Sequence, residues 1–131
     1  MGSENQIFVD NGDGTVTDTK TGLTWQKGDA GPMRWEHAVE TCKNLSLAGK
    51  SDWRLPTLEE LKRLFRSLSD DEHVLDRRFE PFEWSGQWYW TSKVVDPYYA
   101  AYLVNFRGGA LPWQTKNETF YVRAVRSPSD K

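Results

Sequence analysis

The chain of 131 residues holds one cysteine and two histidines. With Cys42 alone, no intrachain disulfide can form, and the sequence carries no mark of the redox state of its compartment. His37 and His73 have no cysteine or second histidine at ligand spacing, so no bound metal is expected. No long apolar run is present, which excludes a membrane-spanning helix and any direct membrane insertion by one. Basic stripes are missing too. The net charge is -2, and the densest basic clusters are Lys62-Arg63-Arg66 and Arg77-Arg78. A surface that tracks phosphates would normally make the whole domain basic, so nucleic acid is not the expected partner. A glycine loop able to cradle phosphate is absent. Residues 1–6 have neither the basic start nor the apolar stretch of a secretory signal. They read as an unstructured lead-in, with Met1-Gly2-Ser3 similar to a cloning remnant.

Aromatic side chains are what the sequence has in excess: seven Trp, five Tyr and six Phe. Such rings fill cores, but they also build interfaces and stacking surfaces for sugars. A chain of this length buries enough surface to fold without a metal or disulfide staple. Residues 7–127 are expected to form one domain, with residues 128–131 as a tail.

The pattern along the chain is strands, two helices, then strands. Ile7 to Val9, Thr15 to Asp18 and Leu23 to Gln26 read as strands. The turn chemistry of Asp10-Asn11-Gly12-Asp13-Gly14 joins the first two into a hairpin. Gly28 to Pro32 reads as a loop. Trp35, Ala38, Val39, Cys42 and Leu45 recur at helical spacing, which predicts a helix from about Arg34 to Leu45. Ser51 to Pro56 is an extended link. Thr57 and Glu60 form a capping box, and Leu58, Leu61, Leu64, Phe65 and Leu68 follow as the apolar face of a second helix. Ser69 to Gly86 is polar and irregular, with Phe79, Phe82 and Trp84 as anchors. Strands are expected at Trp88 to Lys93, Ala100 to Arg107 and Phe120 to Arg126. Gly108-Gly109 and Pro112 to Asn117 read as the loop between the last two. Segregated elements of this kind argue an α+β fold, two helices packed on a twisted antiparallel sheet. Trp53, Leu55, Leu58, Leu61, Trp90, Val104 and Val122 are expected in the core.

Several segments invite a site. Asp10 to Gly14 has calcium-like oxygens, but the spacing of a calcium loop and its closing Glu are missing. Cys42 lies in line with the apolar helix face, the position of a buried structural thiol. Asp70, Asp71, Glu72 and His73 read as a solvated acidic loop. Glu80 and Glu83 flank Phe82, with nothing to mark them as a catalytic pair. No nucleophile with a base and an orienting group is visible, so an enzyme is not expected and no cofactor is implied. The aromatics from Trp84 to Trp113 are too many for a domain of this size to bury. The candidate ligand-binding residues are therefore Trp84, Trp88, Tyr98, Tyr99, Arg107, Trp113 and Lys116, in or beside the loops that follow the second helix.

The segments Asn11-Gly12-Asp13-Gly14-Thr15-Val16-Thr17-Asp18, Thr21-Gly22-Leu23-Thr24-Trp25-Gln26, Leu45-Ser46-Leu47-Ala48-Gly49, Asp52-Trp53-Arg54-Leu55-Pro56-Thr57, Tyr89-Trp90-Thr91-Ser92 and Val122-Arg123-Ala124-Val125-Arg126 occur in that order. Together with Trp35, Ala38, Cys42 and Glu60-Leu61 they resemble the Lcl C-terminal domain family, named after the last domain of a bacterial collagen-like adhesin. The Asp-Trp-Arg-Leu-Pro-Thr block is the most specific part, and the likeness runs from about Phe8 to Arg126. The resemblance implies a C-type-lectin-like fold with N- and C-terminal strands adjacent and a long loop region carrying the ligand surface. The calcium-ligand motifs of calcium-dependent lectins and the paired active-site cysteines of formylglycine-generating enzymes are both missing here. What the resemblance implies is a glycan-binding module, with polyanionic glycans as candidates, at an extracellular or cell-surface location. The cytoplasm is the alternative, since no signal precedes the domain. A protein ligand or a homo-oligomeric assembly role is the second expectation, and an enzyme the third.

Overall fold

The computed structural model describes residues 8–69, 82–96, 98–105 and 113–128. Along the chain the elements are β1 (Phe8–Asp10), β2 (Thr15–Asp18), β3 (Thr24–Gln26), β4 (Ala30–Met33), α1 (Trp35–Lys43), α2 (Leu58–Ser69), β5 (Trp88–Val95), β6 (Ala100–Asn105), β7 (Trp113–Thr115), β8 (Phe120–Val122) and β9 (Val125–Arg126). The fold is α+β with two helices, as expected. The expectation of one antiparallel sheet is corrected: the strands form two sheets, ordered β1-β2-β3-β9 and β4-β8-β5-β6-β7. One pairing, β5 with β8 through Tyr89 and Tyr121, is parallel.

Three local expectations change with it. Gly28 to Pro32 is not all loop, because Ala30–Met33 pairs with β8 as an irregular edge strand. Proline lacks a donor and is tolerated at a sheet edge, which is where Pro32 lies. Pro112 to Asn117 is not all loop either, since Trp113–Thr115 adds to β6 as the other edge. The run Phe120 to Arg126 is two strands, not one. It breaks at Arg123 and Ala124, and its halves join different sheets. Phe79, Arg77, Arg78, Asp70 to His73, Arg107, Gly108-Gly109 and Pro112 lie outside the described residues.

Two clusters make up the core. Val16, Trp25, Leu61, Leu64, Phe65, Phe82, Tyr89 and Val125 join the first sheet to α2. Ala38, Cys42, Trp53, Leu55, Trp90, Ala101, Leu103 and Val122 join α1 to the second sheet. Successive residues of a strand point to opposite faces, so Tyr89 serves one cluster and Trp90 the other. β5 is the middle strand of its sheet and is covered on both sides. Of the expected core residues, Trp53, Leu55, Leu61, Trp90 and Val122 are buried. Leu58 and Val104 are only half-buried; Leu58 opens the outermost turn of α2. Burial pushes the Cys42 thiol up to about 12, so it stays protonated and unreactive near neutrality.

The Asp-Trp-Arg-Leu-Pro-Thr block is a strap between α2 and the last strand. Arg54 exchanges both backbone hydrogen bonds with Val125, each 2.9 Å. Its guanidinium donates to both oxygens of Glu60 at 2.8 Å. Thr57 and Glu60 cap the helix reciprocally, at 2.9 and 3.1 Å. Asp52 accepts from Arg126, and Trp53 Nε1 donates to the carbonyl of Leu47 at 3.3 Å. The most specific sequence motif is thus structural.

The Asp10 to Gly14 turn satisfies itself. Asp10 Oδ1 accepts from the Gly12 amide at 3.0 Å. Asp13 Oδ1 accepts from the amide and hydroxyl of Thr15 at 3.1 and 2.6 Å. Lys27 Nζ pairs with Asp10 at 3.0 Å. With these oxygens engaged inside the hairpin, thermal melts with and without a chelator should superimpose. A drop of many degrees on chelation would show that calcium holds this turn.

Candidate functional site

β5 and β6 are joined by a tight turn that carries two tyrosines. The Tyr98 amide donates to the carbonyl of Val95 at 3.0 Å. Tyr99 takes the left-handed conformation, φ 50°, which costs a non-glycine residue strain unless neighbours hold it. Lys116 holds it: its amide donates to the Tyr99 carbonyl at 2.9 Å, and its own carbonyl accepts from the Trp35 amide at 3.2 Å. The nearby Glu36 carboxylate raises the pKa of the Tyr99 hydroxyl above the usual phenol value.

Around this turn the rings gather in the open. Tyr98 is 63% exposed and Trp113 37%. Their rings stack nearly parallel, 8° apart, with centroids 6.0 Å from each other. Trp113 sits opposite Tyr102 in the β6–β7 register, at the edge of the second sheet. Lys116 Nζ lies 4.2 Å from the ring centroid of Trp35 and 5.1 Å from that of Tyr99. Lys93 Nζ lies 5.8 Å from that of Tyr102. Each such cation–ring contact contributes about 0.5–1 kcal/mol at an exposed site. The result is an aromatic edge with two ammonium groups, able to stack flat apolar faces and to attract anions.

Of the residues expected to bind, the structure brings together Tyr98, Tyr99, Trp113 and Lys116. It places two others elsewhere. Trp84 is half-buried against the first core cluster, edge-on to Phe65 and Tyr89 at 5.3 and 5.4 Å. Trp88 packs partly buried against the second cluster. Arg107 lies outside the described residues. Trp35, Glu36, Lys93 and Tyr102 join the edge without having been singled out. The periodicity of α1 places Trp35 on the core face, but as the first helical residue it reaches past the helix end. Its Nε1 donates to the carbonyl of Thr91 at 2.9 Å, and its ring lies beside Lys116.

The most unusual ionic group lies inside the molecule. The Arg123 side chain is fully buried. Its Nη1 donates to the carbonyls of Gln26, Lys27 and Gly28. Its Nη2 donates to the carbonyl of Glu83 and to Asp29 Oδ2. The guanidinium also sits 4.0 Å from the Trp84 ring centroid. Asp29 Oδ2 accepts further from the Tyr89 hydroxyl at 2.5 Å and the Ser85 amide at 3.0 Å. Burial lowers Arg123 to about 10, so it stays charged near neutrality, while burial and the Asp29 carboxylate raise the Tyr89 phenol and keep its proton on. The Arg123, Asp29 and Tyr89 side chains are closed from solvent, and their bonds tie four segments together. Their arrangement is that of a lock, not of an open reaction site. Among the described residues, no three His, Cys, Asp or Glu side chains gather as a metal-holding group.

Comparison with curated proteins finds no match. A family model described as the Lcl C-terminal domain matches residues 14–126.

Proposed function

Because the chain belongs to the Lcl C-terminal domain family, we propose that it is a non-catalytic binding module. Its ligands on this reading are glycans, polyanionic ones in particular, met at a bacterial cell surface. The observation that carries the reading is the exposed stack of Tyr98 on Trp113, with Lys116 alongside. A sugar ring covers an aromatic face and removes its apolar area from water. Sulfate or carboxylate groups on the same chain pair with Lys116 and Lys93. The module needs no metal in this scheme, because the contacts are rings and ammonium groups.

A glycan array with the intact domain tests the reading. Trp113→Ala should weaken binding to any hit by about 1–3 kcal/mol, the usual effect of truncating an aromatic anchor. Its melting temperature should stay nearly unchanged, since the ring is exposed. A silent array, or an array hit that Trp113→Ala binds as well as the parent does, would count against it. The second reading is a protein-interaction or assembly surface. It is favoured by the position of β7 as the outermost strand of its sheet, where unpaired backbone groups invite another chain. Concentration-dependent self-association in sedimentation, lost on Trp113→Ala, would support that reading instead.

A further inference from the structure

Asn11 is followed by Gly12, and no other asparagine of the chain precedes a glycine. In an open chain this pair is labile. A glycine amide has no side chain beside it, so its nitrogen can reach the neighbouring side-chain carbonyl carbon. Both residues are exposed, and Gly12 takes φ 81° with open space where a Cβ would stand. The hairpin nevertheless holds both reacting groups. The Asn11 side-chain amide donates to Thr15 Oγ1 and to Thr17 Oγ1, each at 2.9 Å. Its backbone amide donates to the Thr15 carbonyl at 3.0 Å. The Gly12 amide, which would be the attacking group, donates to Asp10 Oδ1 at 3.0 Å. Lys27 in turn pairs with the Asp10 carboxylate, and Asp10 stands opposite Val16 in the β1–β2 register.

We propose that Asn11 is a deamidation site masked by the native hairpin, which reacts when β1 and β2 part. In the open chain the Gly12 nitrogen attacks Asn11 Cγ. A C–N bond forms, the side-chain nitrogen leaves as ammonia with the Gly12 amide proton, and a cyclic imide results. Water then opens the imide at either carbonyl, which leaves aspartate or isoaspartate. Neither product fits the hairpin. Thr15 Oγ1 already gives its one proton to Asp13, so a carboxylate at position 11 faces a lone pair and the like charge of Asp13. Isoaspartate also routes the backbone through the former side chain, which lengthens the turn and disturbs the register that the turn sets. That register places Val16 fully buried in the first core cluster. An unfolding event therefore leaves a covalent mark that weakens the next folded state.

Peptide mapping by mass spectrometry, on the intact domain kept in mildly alkaline buffer with and without denaturing urea, tests the proposal. Asn11 should convert at least about tenfold more slowly in the folded chain, because a reaction that needs the open state is slowed by the cost of opening. In urea Asn11 should outpace Asn44 and Asn117, which precede Leu45 and Glu118. Asp10→Ala frees the Gly12 amide, and Thr17→Val removes one acceptor of the Asn11 side chain. Each should speed conversion several-fold in the folded chain, with tryptophan fluorescence checking that the variant is folded at the outset. A parent chain converted in urea and returned to native buffer should melt several degrees below an unconverted one. The proposal is overturned if the folded parent converts at Asn11 as fast as the unfolded chain, or if Asn11 is no faster than Asn44 and Asn117 in urea. It is equally overturned if both folded variants convert as slowly as the parent, or if the converted chain melts where the unconverted one does.

Discussion

Arg123→Met should cost about 3–5 kcal/mol of stability, the usual loss when one partner of a buried ion pair is removed. Methionine fills much of the same volume with an apolar chain, so cavity formation is a minor part of the loss. What remains is a set of part-buried acceptors that have each lost a donor. The carbonyls of Gln26, Lys27, Gly28 and Glu83 each lose a bond. The Asp29 carboxylate, 2% exposed, loses its cation. Urea denaturation followed by tryptophan fluorescence reads the loss directly. Adding Asp29→Asn to Arg123→Met should recover part of it, because the stranded charge is then gone. Arg123→Met unfolding at the same urea concentration as the parent would show that the lock contributes no net stability.

Trp90→Ala should cost about 3–5 kcal/mol, typical for truncating a buried Trp. Trp90 is fully buried in the second cluster. Its ring meets Phe120 edge-on at 5.2 Å. Its Nε1 donates to the carbonyl of Met33 at 2.9 Å, so the indole also ties β5 to the end of β4. Alanine removes the packing and that hydrogen bond together. Trp113→Ala is the matched control: the same truncation at an exposed edge should barely move the unfolding midpoint. Equal losses at the two positions would mean that the edge is part of the core.

The contrast between these two tryptophans was readable in the sequence. Trp90 stands in an alternating strand, whereas Trp113 stands among polar Gln114, Thr115 and Lys116. The capping box at Thr57 and Glu60 and the hairpin turn at Asp10 to Gly14 were also legible, because their bonds run between residues a few positions apart. Periodicity gave both helices and the middle strand β5 for the same reason. The edge strands β4 and β7 were not legible. Each is short, and each owes its conformation to a partner strand instead of its own pattern. Nor did any local signal divide Phe120 to Arg126 between two sheets. Its alternation continues across Arg123, and the break comes from carbonyls contributed by Gln26 to Gly28 and by Glu83. A lone arginine in a strand reads as a surface residue, since arginine is seldom buried without partners, and those partners lie far away in sequence. Half of the aromatic edge was visible in composition. Trp35 and Lys93 reach it only through the packing of α1 and the length of β5.

The division of the last strands between two sheets also sets the order in which the molecule can be finished. β9 completes the first sheet by pairing Val125 with Trp25, and the strap at Arg54 closes on the same residue. Neither pairing exists until the final residues of the domain have left the ribosome. Up to that moment β3 offers an unpaired edge, and unpaired edges recruit other chains. Pairings this distant along the chain are also slow to form, because the entropy of closing the intervening loop comes before any reward. A nascent chain of this domain therefore carries its aggregation risk longest at Thr24 to Gln26, and the last two-residue strand is what removes it.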